Sequence, residues 1–289
     1  IAQVVLQLFV IGVTNPLAFP FPSPPSTQSL HSSLKQLFRL GAISSDKTIT
    51  AHGRNVAKIP LSPAFAHLLL CANQFGCVEE ILTAVSMLSS DNVLIQPHIE
   101  SEKKLAGQIH KQFSSRDGDF ITLINIYEAW IKSGKSKGWC RRSFVSHRGL
   151  NHACSVRDQI GRILQTMGIK KSSCMPEREP ILKCIVKGLS RNIAARTINT
   201  NVNAKGKMKR EFSSHDRAPY RTVDGNQDVY VHPSSSIFSK SGGSLPKHLV
   251  YAEILVTSKT YMRYVSSMDI SWLAELAISH INTSSSVKS

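Results

Sequence analysis

Acidic residues are scarce in this chain, and its cysteines are never paired in a motif. The 19 Asp and Glu face 35 Lys and Arg, giving a formal charge of +16 and a pI near 9.8. That balance points to an acidic partner, either nucleic acid or an anionic surface. The six cysteines (Cys71, Cys77, Cys140, Cys154, Cys174, Cys184) form no C-x-x-C pair and have no matching His spacing. This argues against a zinc site or a redox motif, and free thiols are expected. Long apolar runs are also missing. The opening IAQVVLQLFVIGV stops at Asn15-Pro16, too short to span a bilayer, and has no basic stretch to make it a signal peptide. No helix pairs a basic face with exposed aromatic residues, so no membrane partner is expected. His31, His52, His67 and His98 lie apart from any paired carboxylate and nucleophile. No catalytic, cofactor-binding or metal-ligating residue is assigned.

What is present fits a folded protein of several small domains. The hydrophobic fraction of 42% suits a globular chain, and 289 residues suffice for two or three modest cores. The first thirteen residues read as a helix, and NPLAFPFPSPP (15–25), with five prolines, as a stiff extended connector. Ser26 is placed to cap a helix with Leu30, Leu34, Leu37 and Phe38 as core, ended by Gly41. A short β stretch at Thr48–Thr50 and a further helix closed before Pro60 follow. Helix, turn, small strand and helix in so few residues resemble a winged-helix module.

From Pro63 to about Ile198 the apolar spacing is helical, over 63–72, 77–89, 99–113, 119–132, 141–148, 151–167 and 177–197. Residues 199–217 lose apolar periodicity and read as a flexible basic insertion. After Pro219 short alternating pieces take over, YRTV, DVYV, SIF, LVYAEILVT and TYMRYV, which suggest a small β-barrel. A last helix is expected at about 271–278, then a frayed Ser-rich tail.

The chain is organised around Gly118–Ile160. There Asp119 reads as a helix cap, and Leu123, Ile124, Tyr127, Trp130 and Ile131 as one apolar helix face. Lys132, Lys135, Lys137, Arg141, Arg142, Arg148 and Arg157 follow, interleaved with Trp139, Phe144 and His147. Such a connection either presents cations to a polyanion or is a solvated basic loop between core helices. Ala129–Ser136 imitates a phosphate-binding loop, but its first glycine is Ala129 and a helix, not a strand, precedes it.

The runs LFRLGAI, ITAHGRNVAKIPLSP, EEILTAVSMLSSDNV, GDFITLINIYEAW, YRTV…VYVHPSSSIF, VYAEILVTSKTYMR and DISWLAELA occur in this order, within a collinear match from Val4 to about Ala277. In that order the chain resembles the C-terminal half of the DEAH-box RNA helicases. The resemblance implies a multidomain α+β fold. Residues 1–13 close a motor-domain junction, 14–61 form a winged helix, and 62–198 a ratchet-like helical domain. Residues 199–217 are the insertion, 218–278 an oligonucleotide-binding (OB) fold and 279–289 a disordered tail. No G-x-x-x-x-G-K-[ST], D-E-A-H or Q-R-x-G-R-x-G-R run occurs. The motor domains are therefore expected to be absent from this chain, which by itself should not hydrolyse ATP. ATP and Mg would belong to the RecA-like motor domains of a longer parent.

By resemblance, single-stranded RNA is the expected partner, together with a G-patch-type activator, in a nuclear or nucleolar setting. The alternative is a motor-less adaptor that docks G-patch-like proteins. Arg148 matches the family's R-x-L arginine, although Asn151-His152 replaces the basic pair that usually follows. Arg157 matches the V-R-x-Q arginine and is read equally as an ion-pair partner. Arg141 and Arg142 follow Trp139-Cys140, the family's W-C helix start. In the barrel, His232, Ser234 and Ser235 match the H-P-S-S turn, read as a phosphate or sugar contact or as a plain β-turn. Tyr220 and Arg221, with Lys259 and Tyr261, would supply a stacking platform. Trp272 and Leu276 are expected in the core.

Overall fold

The computed structural model describes residues 1–90, 93–197, 220–238 and 245–276. The 199–217 insertion and the 279–289 tail lie outside them. Helix α1 (Ala2–Val10) buries Val5, Leu6, Leu8 and Phe9. α2 (Thr27–Arg39) begins where Ser26 Oγ accepts the Ser29 N–H at 3.2 Å, as the sequence predicts. It buries Leu30, Ser33 and Leu37. Phe38 is 53% exposed, against the sequence expectation. It follows Leu37 directly, about 100° further round the helix and off the buried stripe. The expected strand at Thr48–Thr50 reduces to a single Ile43–Ile49 bridge. Thr50 instead caps α3 (Ala51–Lys58), accepting the Gly53 N–H at 2.9 Å.

The helical part continues with α4 (Pro63–Ala72), α5 (Val78–Leu88), α6 (Glu100–His110), α7 (Asp119–Lys132), α8 (Lys137–Arg142), α9 (His147–Thr166) and α10 (Glu179–Gly188). One continuous core runs from Val5 through Leu68, Ile81, Phe120 and Ile185 to Val250 and Met268. α4 and α10 touch through Gly188, where a Cβ would lie 2.9 Å from Leu68 Cα. A second, smaller core gathers Met87, Val93, Ile126, Tyr127, Trp130, Cys140, Val145, Leu150 and Ala153. α7 contributes to both cores, Phe120 and Ile124 to the larger, Ile126 and Trp130 to the smaller.

Two helix expectations are corrected. Residues 141–148 are not one helix. α8 ends at Arg142, the chain turns through Phe144 (φ +52°), and Val145 bridges Leu94, with Ser146 N–H donated to Val93 O at 2.8 Å. Residues 177–197 are not one helix either, because Ile193–Arg196 is strand β1. Its two alanines are good helix formers, but Ile193 and Ala194 pair with Val250 and Leu249 and fill the barrel wall, so tertiary pairing overrides propensity.

Strands β2 (Tyr220–Thr222), β3 (Asp228–Val231), β4 (His248–Val256) and β5 (Thr260–Ser267) complete a closed barrel in the order β1-β2-β3-β5-β4. Every pairing is antiparallel except β3 with β5. Ala194, Tyr220, Val229, Leu249, Met262 and Val265 fill its interior. The residues before α7 join the barrel rim. Gly118 bridges Ser266, and Ser267 N–H is donated to Asp117 O at 2.9 Å. Only glycine fits there, since φ is +122° and a Cβ would sit 2.3 Å from the Val265 carbonyl oxygen.

His52 of α3 and His67 of α4 meet with Nε2 and Nδ1 2.8 Å apart, their rings edge to face. Burial lowers both imidazoles. His67, also facing the charges of His52 and Lys187, is pushed from 6.5 to about 4. On His67's other side the Cys71 thiol, raised by burial to about 11, stays neutral. An unfolded chain takes up the His67 proton near the ordinary value, whereas the folded chain resists it. Stability contributed by the neutral ring is therefore present above that value and is lost as pH falls toward about 4.

Two outcomes follow. Gly118→Ala is expected to lower unfolding stability by about 2–4 kcal/mol, read as a shift in denaturant midpoint. Acidification from neutral pH to about pH 4 is expected to cost wild type about 2–3 kcal/mol more than His67→Gln. Parallel stability–pH curves for the two proteins would contradict the latter.

Candidate nucleic-acid interface

The exposed face of the barrel beside β3 and β5 gathers aromatic and cationic side chains. Parallel pairing sets Tyr230 against Tyr261 and Val231 against Met262. Val231 and Met262 turn into the barrel, so Tyr230 and Tyr261 lie side by side on the other face, ring centroids 6.2 Å apart. The Lys259 ammonium sits 4.7 Å from the Tyr230 ring centroid, at the mouth of the β4–β5 hairpin. His232 closes the group, edge to face with Tyr261 at 5.6 Å. Partial burial and the nearby Arg263 charge lower the His232 imidazole below its ordinary range, which favours the neutral ring. Its Nδ1 accepts the Ser234 N–H at 3.2 Å and lies 2.7 Å from Ser234 Oγ, leaving Ser234 exposed at the tip of the turn. Flat rings flanked by a cation and a hydroxyl can stack bases and hold a sugar–phosphate backbone.

The structure brings His232, Ser234, Lys259 and Tyr261 together and removes three other expected residues from the surface group. Tyr220 is 1% exposed and points inward, its hydroxyl donated to Pro246 O at 2.7 Å. Position 220 faces the barrel interior because β2 alternates buried, exposed, buried. Arg221 is exposed, but its Nε is donated to Asp228 across the β2–β3 pair at 2.9 Å. The Ser235 hydroxyl is buried and donated to Asp119 Oδ1 at 2.9 Å, so it cannot meet an outside ligand. Tyr230 was missed by the sequence reading, although the alternation in DVYV places it opposite the inward Val229 and Val231.

Asp119 itself is corrected. Gly118, not Asp119, occupies the cap position of α7, and the Asp119 carboxylate turns into the barrel. Oδ1 also accepts Ser236 N–H at 2.7 Å and Ser236 Oγ–H at 3.0 Å, and Oδ2 accepts Val265 N–H at 2.8 Å. Burial raises its carboxyl above the ordinary value, and these hydrogen bonds oppose the rise.

At the far end of α7, about 20 Å away at 1.5 Å per residue, lies the basic turn. Lys132, Lys135, Lys137, Arg141, Arg142 and Arg148 are exposed there, and none has an acidic partner among the described residues. Ile131, expected in the apolar face, is 41% exposed at this end. Arg157 is different. It pairs with Glu79 of α5, donates Nε–H to Thr83 Oγ1 at 2.9 Å and lies over the Tyr127 ring. Its ion-pair reading is the one the structure realises.

The phosphate-loop imitation does not fit a nucleotide. Lys135 N–H is donated to Trp130 O at 3.0 Å, closing the end of α7, and its ammonium lies over the Trp130 ring. No step of nucleotide chemistry is assigned to these residues. Among the described residues, no helix is long and apolar enough to cross a membrane by itself.

Arg157→Ala is expected to lower stability by about 1–3 kcal/mol, because Glu79 and Thr83 lose their partner in a half-buried setting. Arg148→Ala is expected to stay within about 0.5 kcal/mol of wild type. Thermal unfolding of the two variants checks both.

Two family models match the chain. The oligonucleotide/oligosaccharide-binding (OB)-fold model covers residues 181–280, and the ratchet-like helicase associated domain (HA2) model covers 62–123. The human "Probable ATP-dependent RNA helicase DHX35" is 34% identical over 278 residues, 96% of this chain and 36% of that protein. The mouse "ATP-dependent RNA helicase DHX33" is 35% identical over 280 residues, 96% of this chain and 37% of that protein. The "Pre-mRNA-splicing factor ATP-dependent RNA helicase prp22" of Schizosaccharomyces pombe is 30% identical over 277 residues, covering 22% of its length. The chain spans about a third or less of these curated relatives. With helicase-associated helices leading into an OB barrel, and a sequence matched over 96% of its length by these proteins, the chain is similar to the C-terminal region of DEAH-box RNA helicases.

Proposed function

We propose that this chain is the RNA-binding C-terminal portion of an ATP-dependent helicase that remodels RNA or RNA–protein complexes. The observation that carries the proposal is the barrel face of Tyr230, His232, Ser234, Lys259 and Tyr261. The cations at 132–148 extend the electropositive surface. Stacking on Tyr230 and Tyr261 accepts any base, and the cations supply sequence-independent phosphate affinity. Arg141, Arg142 and Arg148 would serve as backbone contacts, with Arg221 and Arg157 outside the contact set.

In this reading, α2, α3 and the Ile43–Ile49 bridge form a winged-helix-like unit within 14–61. The ratchet-like helices fill 62–198, and the OB barrel draws its first strand from the end of that range. ATP and Mg act in RecA-like motor domains of the parent protein, not in the residues described. A nuclear place of action follows from the likeness to a pre-mRNA-splicing factor. A second reading, docking of a G-patch-like protein, is favoured by one observation. Val4, Ile11 and Phe38 are exposed apolar side chains on or beside α1 and α2.

Fluorescence anisotropy with a labelled oligouridine tests the proposal. The chain should bind at low salt, with log K falling linearly against log salt at about −0.7 per phosphate neutralised. Tyr261→Ala should weaken binding by about 1–3 kcal/mol, and Lys259→Ala should flatten the salt dependence. Absence of binding at low salt would refute the RNA role and leave the protein-docking reading.

A further inference from the structure

The proposed RNA face is supported from behind by a residue that no RNA would touch. Asp119 is buried at the junction of α7 and the barrel, and its carboxylate is met by four hydrogen-bond donors. Three of these belong to Ser235 and Ser236, which directly follow His232–Ser234 in the exposed turn. The fourth is the Val265 amide of β5, the strand that carries Tyr261. No salt bridge to Asp119 occurs among the described residues. A buried carboxylate without a counter-charge is a poor way to gain stability, since an apolar side chain of similar volume fills the same space without desolvating a charge. What a carboxylate supplies and an apolar group does not is simultaneous, directional capture of several donors from two separate pieces of chain.

We infer that Asp119 is a positioning residue. From the first turn of α7 it fixes the 232–237 turn against β5, so that His232, Ser234 and Tyr261 present one surface. The geometry follows from its two oxygens. Oδ1 gathers the turn, Oδ2 holds the strand, and the rigid carboxyl plane sets the distance between them. Asparagine at 119 keeps one acceptor oxygen, but its amide nitrogen would face a donor already present, either at Ser235 and Ser236 or at Val265 N–H. Turn and strand would then separate without an empty cavity forming. This inference rests on the RNA reading of the barrel face.

The test is a double-mutant cycle in the whole chain, with anisotropy against labelled oligouridine and amide hydrogen exchange as readouts. Asp119→Asn is expected to stay folded, bind about tenfold more weakly, and lose exchange protection at 234–237 while α4 and α10 keep theirs. Once Asp119 no longer aligns the face, Tyr261→Ala should cost much less in the Asp119→Asn background than in wild type. A merely structural role would leave the two losses additive. If Asp119→Asn does not fold, Ser236→Ala, which removes one donor, carries the same expectation of non-additivity at smaller amplitude. Wild-type binding with additive losses, or unchanged protection at 234–237, overturns the positioning role alone. A wild-type chain that binds no RNA overturns the RNA reading and with it the purpose assigned to the carboxylate.

Discussion

The rest of the structure depends on a close approach of backbones, where the residues before α7 lie against the end of β5. Gly118 has no Cβ to hold Val265 and Ser266 away, so the strand and the helix start share a bridge. Because the chains come this near, the Asp119 carboxylate reaches donors on both sides of the barrel rim. The helical part and the barrel are thus joined by main-chain contacts and one buried acceptor, in addition to a shared apolar surface at Val250 and Met268. Directional contacts of this kind fix orientation, whereas apolar burial alone tolerates sliding.

Most cations that meet a carboxylate do so where elements cross. Arg39 reaches Asp224 and Arg178 reaches Asp117, while Lys183 contacts both Glu179 and Glu275. The cations of the turn after α7, by contrast, have no acidic partner among the described residues.

Much of this was legible beforehand. Ser26 announces its helix because a cap is a local hydrogen bond between residues three apart. The later strands announce themselves by alternation, and the collinear motifs carried the family. β1 was not legible, because Ile-Ala-Ala-Arg is locally a helix and becomes a strand only through distant partners in β2 and β4. Phe38 was placed in the core because an apolar residue beside a stripe looks like part of it. At the barrel face, Tyr261 and Lys259 could be picked from motif matches, but Tyr220 could not be told from them. Its inward direction is set by barrel closure, which no local pattern records. Asp119 read as a cap since the first turn of a helix is where acidic residues usually act. Its true partners are over a hundred positions away.

The division of α7 between two cores has a consequence for how the protein breathes. Its first half is anchored in the large core and the barrel rim, its second half only in the small cluster around Trp130. Cooperative opening follows such divisions. The cationic end is held by that small cluster, whereas the aromatic face of the barrel is backed by the interior of Ala194, Tyr220 and Met262. Charge and stacking thus rest on separate apolar clusters, and α5 and α9, like α7, tie the smaller helical cluster to the main core, through Ile81 and Met87 and through Ile160 and Ala153.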